Sequence, residues 1–203
     1  MASRKSDLMR DTARRVHTLI ESQDRSEGRA ALAHLRRGIG HAPGELPELW
    51  GSFLAGLPES MQGKNGKPSK EEWAIYLALT MFALHQQSKD APVHSEGVSL
   101  GTAAAELMDS HDDLERVWKR LMLVAGADNI DGLAYHLRGI IQLLRNTDAK
   151  LDYAMLAGDL FEFQSPMTIG QVRLRWGQDF FIAADRHFAT KDVDNKEENS
   201  NEE

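Results

Sequence analysis

Residues 151–181 read LDYAMLAGDLFEFQSPMTIGQVRLRWGQDFF, and the periodicity of this stretch decides the fold class. Two amphipathic helices, Asp152–Phe163 and a longer one from Thr168, meet at a Ser165-Pro166 turn. In the second, Val172, Trp176 and Phe180 recur every four residues, which stacks three apolar groups on one helical face. Arg173 and Arg175 fall off that stripe and are expected to meet water or a partner. The stretch has no catalytic pattern and reads as a scaffold that presents arginines.

Outward from it, composition favours helix throughout the 203 residues. Leu and Ala number 47, whereas the strand-forming Val and Ile total 15. Cysteine is absent, which excludes disulfides, thiolate nucleophiles and iron–sulfur ligation and fits a reducing cytosol. The start, MASRKSDLMRDTARRV, has no apolar core of a secretory signal. The longest apolar run, Trp73 to Leu84, falls short of the roughly 20 residues that cross a bilayer. A soluble, cytoplasmic protein without membrane contact is expected. The net charge of −7 is unevenly placed: residues 191–203, KDVDNKEENSNEE, hold six acids and two lysines. That tail has one apolar residue and is expected to be disordered.

The pass along the chain predicts an all-α fold of about nine helices in two small bundles. The helices are Asp7–Ile20; a second capped by Asp24 with Glu27 and ending near Arg37; a short one after Pro47; and Glu71 to Gln87, capped by Ser69 with Glu72. Then come Ser99 to Met108, Asp113–Val124, Asn129–Arg145, and the two helices quoted first. The fourth is apolar nearly all round and belongs at the centre of a core. The polar segment 88–97 marks a boundary, giving an N-terminal helical domain over 1–90, a C-terminal bundle over 98–190 and the tail over 191–203.

Arginines recur at helical spacing. Arg29 and Arg36 lie seven apart with Arg37 alongside; Arg116, Lys119 and Arg120 cluster at i, i+3, i+4; Arg138 and Arg145 are again seven apart, with Gln142 between. Like charges at such spacing repel by a few tenths of a kcal/mol, which points to an anionic partner. The guanidinium fork grips phosphate oxygens bidentately, so arginines on rigid helices suit a groove that tracks a nucleic-acid backbone. The basic loop GKNGKPS (63–69) adds Lys64 and Lys67, but its spacing is not that of a phosphate-binding loop. Trp50, Trp73, Trp118 and Trp176 all sit on apolar stripes and are expected in the core.

His111-Asp112 is the dipeptide of helical phosphohydrolases, with His85 and Asp179 as conceivable further ligands. Its place in Ser110-His-Asp-Asp113, before a helix, is better explained by capping. No metal, cofactor or catalytic residue is therefore assigned. A metal-dependent phosphohydrolase and a helical protein-binding adaptor are the alternative readings.

Four segments, HLRRG (34–38), GVSLG (97–101), LAYHLRGIIQLLR with LDYAMLAGDL (133–160), and VRLRWGQDFF (172–181), together resemble the CasB family, the small subunit of the type I-E CRISPR surveillance complex, Cascade. The resemblance implies a non-enzymatic, all-helical subunit, present as two copies head to tail beside the other subunits of a guide-RNA complex. It implies contacts to target and non-target DNA strands, with guide RNA as a further neighbour, that stabilise the R-loop. Carried over, the contacts fall on Arg36, Arg37, Arg138 and the sixth-helix arginine. Where the family pattern leads one to expect a basic residue after Trp176-Gly177, this chain has Gln178.

Overall fold

The computed structural model describes the backbone of residues 2–200 and the side chains of residues 4–189. Nine α-helices follow in order among the described residues: α1 Ala2–Ser22, α2 Ser26–Arg37, α3 Trp50–Phe53, α4 Lys70–His85, α5 Leu100–Ala105, α6 Leu114–Ala125, α7 Ile130–Leu144, α8 Tyr153–Phe163 and α9 Ile169–Ser200. The expected disorder of 191–203 concerns residues whose side chains lie outside the described ones. Among described residues β pairing is limited to two isolated bridges, Lys64 with Lys67 and His94 with Leu151.

The centre is α4, as its all-round apolarity requires. Its start is fixed by a reciprocal cap: the Ser69 hydroxyl accepts from Glu72 N at 3.0 Å, and Glu72 Oε2 accepts from Ser69 N at 2.7 Å. From there to His85 nearly every residue is buried, against α1, α2, α7 and α8. One apolar cluster runs from Leu8 on α1 to Phe188 on α9. Packing of this kind dominates helix stability, because helices of this length are marginal alone.

The segment joining α4 to α5 is fastened rather than loose. Leu151 N donates to Val93 O at 3.0 Å, Ser95 N to Leu151 O at 3.3 Å, and Gly97 N to the Asp152 carboxylate at 2.8 Å. The same carboxylate caps α8 by accepting from Ala154 and Met155 N. The boundary at 88–97 stands as a proposal about folding units, since the two halves share an apolar core.

Two local expectations are corrected. The second helix is not capped by Asp24: a tight turn with Arg25 N donating to Ser22 O places Arg25 at the N-cap, with no side-chain cap. Trp50 is 49 % exposed rather than in the core. It opens a helix of only four residues, where Leu49 and Phe53 take the inward positions and Trp50 turns out, its Nε1 donating to Gly44 O at 3.4 Å.

Candidate nucleic-acid interface

The geometry starts on α7. Leu133, Leu137, Ile140, Ile141 and Leu144 are buried, and that stripe fixes the rotation of the helix. The opposite side carries Tyr135, Arg138, Gln142 and Arg145, at i, i+3, i+7 and i+10. The first three are exposed and Arg145 is half-buried. At 1.5 Å per residue the four form a ridge about 15 Å long.

Arg36 joins the far end of this ridge. Half-buried on α2, it donates to Ala83 O near the C-terminus of α4 at 3.4 Å. Burial first, and then the neighbouring Arg145 guanidinium, hold its pKa below the ordinary arginine value. Arg145 donates to Gln87 Oε1 at 2.9 Å. Neither forms an ion pair with a carboxylate among the described residues. Two like charges near each other, neither paired with a carboxylate, raise the local positive potential.

Arg120 on α6 lines the same cavity as Arg138, in the groove between α6 and α7, with Leu123 and Ile140 also in the lining. Arg36, Arg120, Arg138 and Arg145 therefore border one surface. The other predicted residues are placed differently. Arg116, one turn before Arg120, donates to Asp113 at 2.6 Å, and Lys119 pairs with Glu115 at 2.7 Å. Those carboxylates are held below their usual pKa chiefly by these hydrogen bonds. Solvent screens exposed pairs of this kind, so both cations stay exchangeable. Arg37 is exposed beside Arg36.

Lys64 and Lys67 flank a two-residue turn in which Asn65 and Gly66 both have positive φ, 55° and 71°, the type I′ geometry of an Asn-Gly hairpin. This loop adjoins the N-terminus of α4. Arg36 meets that helix at Ala83, thirteen residues past Lys70 and so about 20 Å away by helical rise. The lysines and the arginines are thus two separate basic surfaces.

Arg173 and Arg175 do not present themselves to a partner as expected. Arg175 donates to Asp159 Oδ1 at 2.6 Å and Glu162 Oε2 at 2.9 Å. Arg173 donates to Ala127 O at 3.0 Å and lies over the Phe163 ring at 5.6 Å. The acids of AGDLFEF on α8 pair with one of the two charges that VRLRW offers on α9, that of Arg175. Conversely, Tyr135 and His136 went unnoticed in the sequence. Tyr135 is 77 % exposed, and its off-stripe place between Leu133 and Leu137 was the available signal.

The histidines of the phosphohydrolase reading are occupied elsewhere. His85 is fully buried and shares a 2.9 Å hydrogen bond with the Tyr153 hydroxyl, while His111 stacks on Phe188 with centroids 3.7 Å apart. Asp113 accepts from the backbone N–H of Asp109 and Ser110, which accounts for the acids that follow His111 as capping. Among the described residues, no three His, Asp or Glu side chains converge on a common point.

The family model of CRISPR-associated protein Cse2 matches residues 31–181. The chain belongs to this family, whose members include CasB of type I-E Cascade. CasB from Thermobifida fusca is 34 % identical and aligns over 85 % of this chain and 97 % of its own, with a TM-score of 0.72. CasB from Thermus thermophilus is 25 % identical over 84 % and 97 %, with a TM-score of 0.61. CasB from M. ruber, 21 % identical over 88 % and 97 % with a TM-score of 0.62, shares the fold. Comparison with curated proteins returned no match.

As a CasB-family chain it is a structural Cascade subunit, and its recognisable segments acquire physical reasons. The glycine of HLRRG lies where a Cβ would meet Leu49 Cδ1 at 2.6 Å and the Tyr76 hydroxyl at 2.7 Å. That hydroxyl donates to Gly38 O at 2.8 Å. Gly101 of GVSLG lets α5 lie against the backbone of α9. No described helix is long and apolar enough to cross a membrane.

Proposed function

We propose that this CasB-family chain holds DNA strands in Cascade, without catalysis, through the α7 ridge, with Arg36, Arg120, Arg138 and Arg145 as the principal phosphate contacts. The observation that carries this reading is that Arg36 and Arg145, from helices distant in sequence, are both fastened at the C-terminal end of α4, to Ala83 O and Gln87 Oε1, and neither pairs with a carboxylate among the described residues. An arginine pair left unneutralised in the free subunit is stabilised when a phosphate enters, because each charge-assisted hydrogen bond contributes about 1.5–3 kcal/mol. Exchange of DNA duplex for guide–target heteroduplex is nearly balanced, so a few such contacts shift it toward the opened state. Arg37, Arg116 and Lys119 extend the basic surface, while Lys64 and Lys67 reach a second segment of nucleic acid or the guide RNA. A second copy of this chain, placed head to tail, would continue the track along the complex.

The test is Arg36→Ala with Arg138→Ala in the assembled complex. Both side chains lie at the surface or half-buried, so the subunit keeps its melting temperature. R-loop lifetime is expected to fall at least tenfold, and the salt dependence of binding to flatten by roughly 0.7–0.9 per lost phosphate contact. An unchanged R-loop lifetime refutes the role.

A further inference from the structure

We propose that the α6–α7 groove is a seat for one unpaired nucleotide, with Tyr135 as the platform on which its base stacks. The inference rests on the strand-holding role above and adds to it a contact to a base. The cavity, about 290 Å³, is lined among others by Arg120, Leu123, Tyr135, Arg138, Ile140 and Gln142, and no acidic side chain lines it. Its chemistry is divided as a nucleotide is divided. Arg120 and Arg138 supply two guanidinium groups from opposite walls, suited to one phosphate. The buried Ile140 and the exposed Leu123 add apolar surface, and Gln142 supplies an amide that donates and accepts at a base edge.

Tyr135 is the element that a phosphate site alone does not explain. Its ring is 77 % exposed, yet it is oriented by an edge-to-face contact with His136 at 5.3 Å between centroids. Its hydroxyl has no hydrogen-bond partner among the described residues. A single exposed aromatic is unremarkable by itself. An aromatic one helical turn from an arginine, at the mouth of a cation-lined cavity, is the pairing that single-strand binders use, in which stacking tolerates any base. Paired bases offer no free face, so the seat selects a strand that has left its duplex.

The test uses the assembled complex carrying Tyr135→Ala, Tyr135→Phe or Arg138→Ala. In parallel, 5-iododeoxyuridine is placed in turn at each position of the target and displaced strands. Tyr135→Ala is expected to shorten R-loop lifetime roughly 5- to 100-fold, and Tyr135→Phe to leave it within about twofold. Irradiation is expected to crosslink one strand position to the peptide containing Tyr135. If Arg138→Ala shortens the lifetime while Tyr135→Ala does not and no crosslink forms, the base seat is overturned and the strand-holding role stands. If neither substitution has an effect, both fall. Loss of other Cascade subunits from the Tyr135→Ala complex would make this surface a protein contact, and would also overturn the seat.

Discussion

The Asp159 carboxylate lies almost free of solvent on α8, accepting from Arg175 at 2.6 Å and from Trp176 Nε1 at 2.7 Å. Burial pushes its pKa up, while Arg175 opposes that rise by favouring the ionised form. Asp159→Ala leaves the buried indole N–H without its acceptor and takes one of two carboxylate partners from Arg175, which keeps Glu162. It is expected to cost about 3 kcal/mol, read as a lower denaturation midpoint at unchanged slope. Arg175→Ala leaves the buried Asp159 carboxylate without its main counter-charge and is expected to cost a comparable amount, yet it should leave R-loop lifetime unaltered. A DNA defect in a stably folded Arg175→Ala subunit would contradict its structural assignment. His85 makes a different residue-scale prediction. Burial lowers its pKa to about 4 from the ordinary 6.5, so the folded state favours the neutral ring. The group's contribution is complete above pH 6.5 and is lost as pH falls through the window down to about 4. Across that window the native protein should lose about 3 kcal/mol more than His85→Leu. Parallel stability–pH curves for the two would show that the ring is hydrated.

At the level of elements, α5 meets α9 with backbone against backbone. A Cβ on Gly101 would come within 2.2 Å of Trp176 O and 2.8 Å of Phe180 N, neither of which can swing aside. Gly101→Ala is therefore expected to cost 3 kcal/mol or about that, by overpacking, and to shift both helices. A melting temperature within a degree or two of the native value would mean that α5 is mobile. This contact explains what the sequence did and did not reveal. Helix existence was legible because each long helix repeats its apolar residues at the helical period, as Val172, Trp176 and Phe180 do, and all three are buried. The all-round apolarity of Trp73–Leu84 likewise foretold the burial of α4. The short helix after Pro47 was legible as an element but its inward face was not: α3 has one turn, so no period distinguishes Trp50 from Phe53. The shared face of the candidate arginines was legible as helical spacing, which put Arg138 and Arg145 on one side of α7. Which cations are already spent was not, since Arg175 and Arg138 look alike until α8 brings Asp159 into an ion pair with the one, while the other, though it shares a cavity with Asp131 and Glu45, forms no ion pair among the described residues. The convergence of Arg36 with Arg145 is a tertiary fact, and no local pattern encodes it.

For the whole molecule, charge distribution matters more than its sum. The chain carries −7 overall, yet the last thirteen residues hold six acids against two lysines, so the body that bears the arginine ridge is close to neutral. An acidic tail competes with DNA for the same cations and lowers the attraction that brings strands to the ridge. Deleting residues 191–203 removes a net −4 and takes away a segment with a single apolar residue, Val193, so the melting temperature has no reason to fall. The truncated subunit, assembled into Cascade, is expected to bind DNA a few-fold more tightly at low salt. The gain should shrink as ionic strength passes roughly 0.15 M, where the screening length is near 8 Å and charges farther apart cease to interact. Arg138→Ala should show the opposite sign with the same salt trend, and the two changes combined should largely cancel at low salt. Weaker binding on truncation, or an appreciably lower melting point, would instead make the tail a docking element for another subunit.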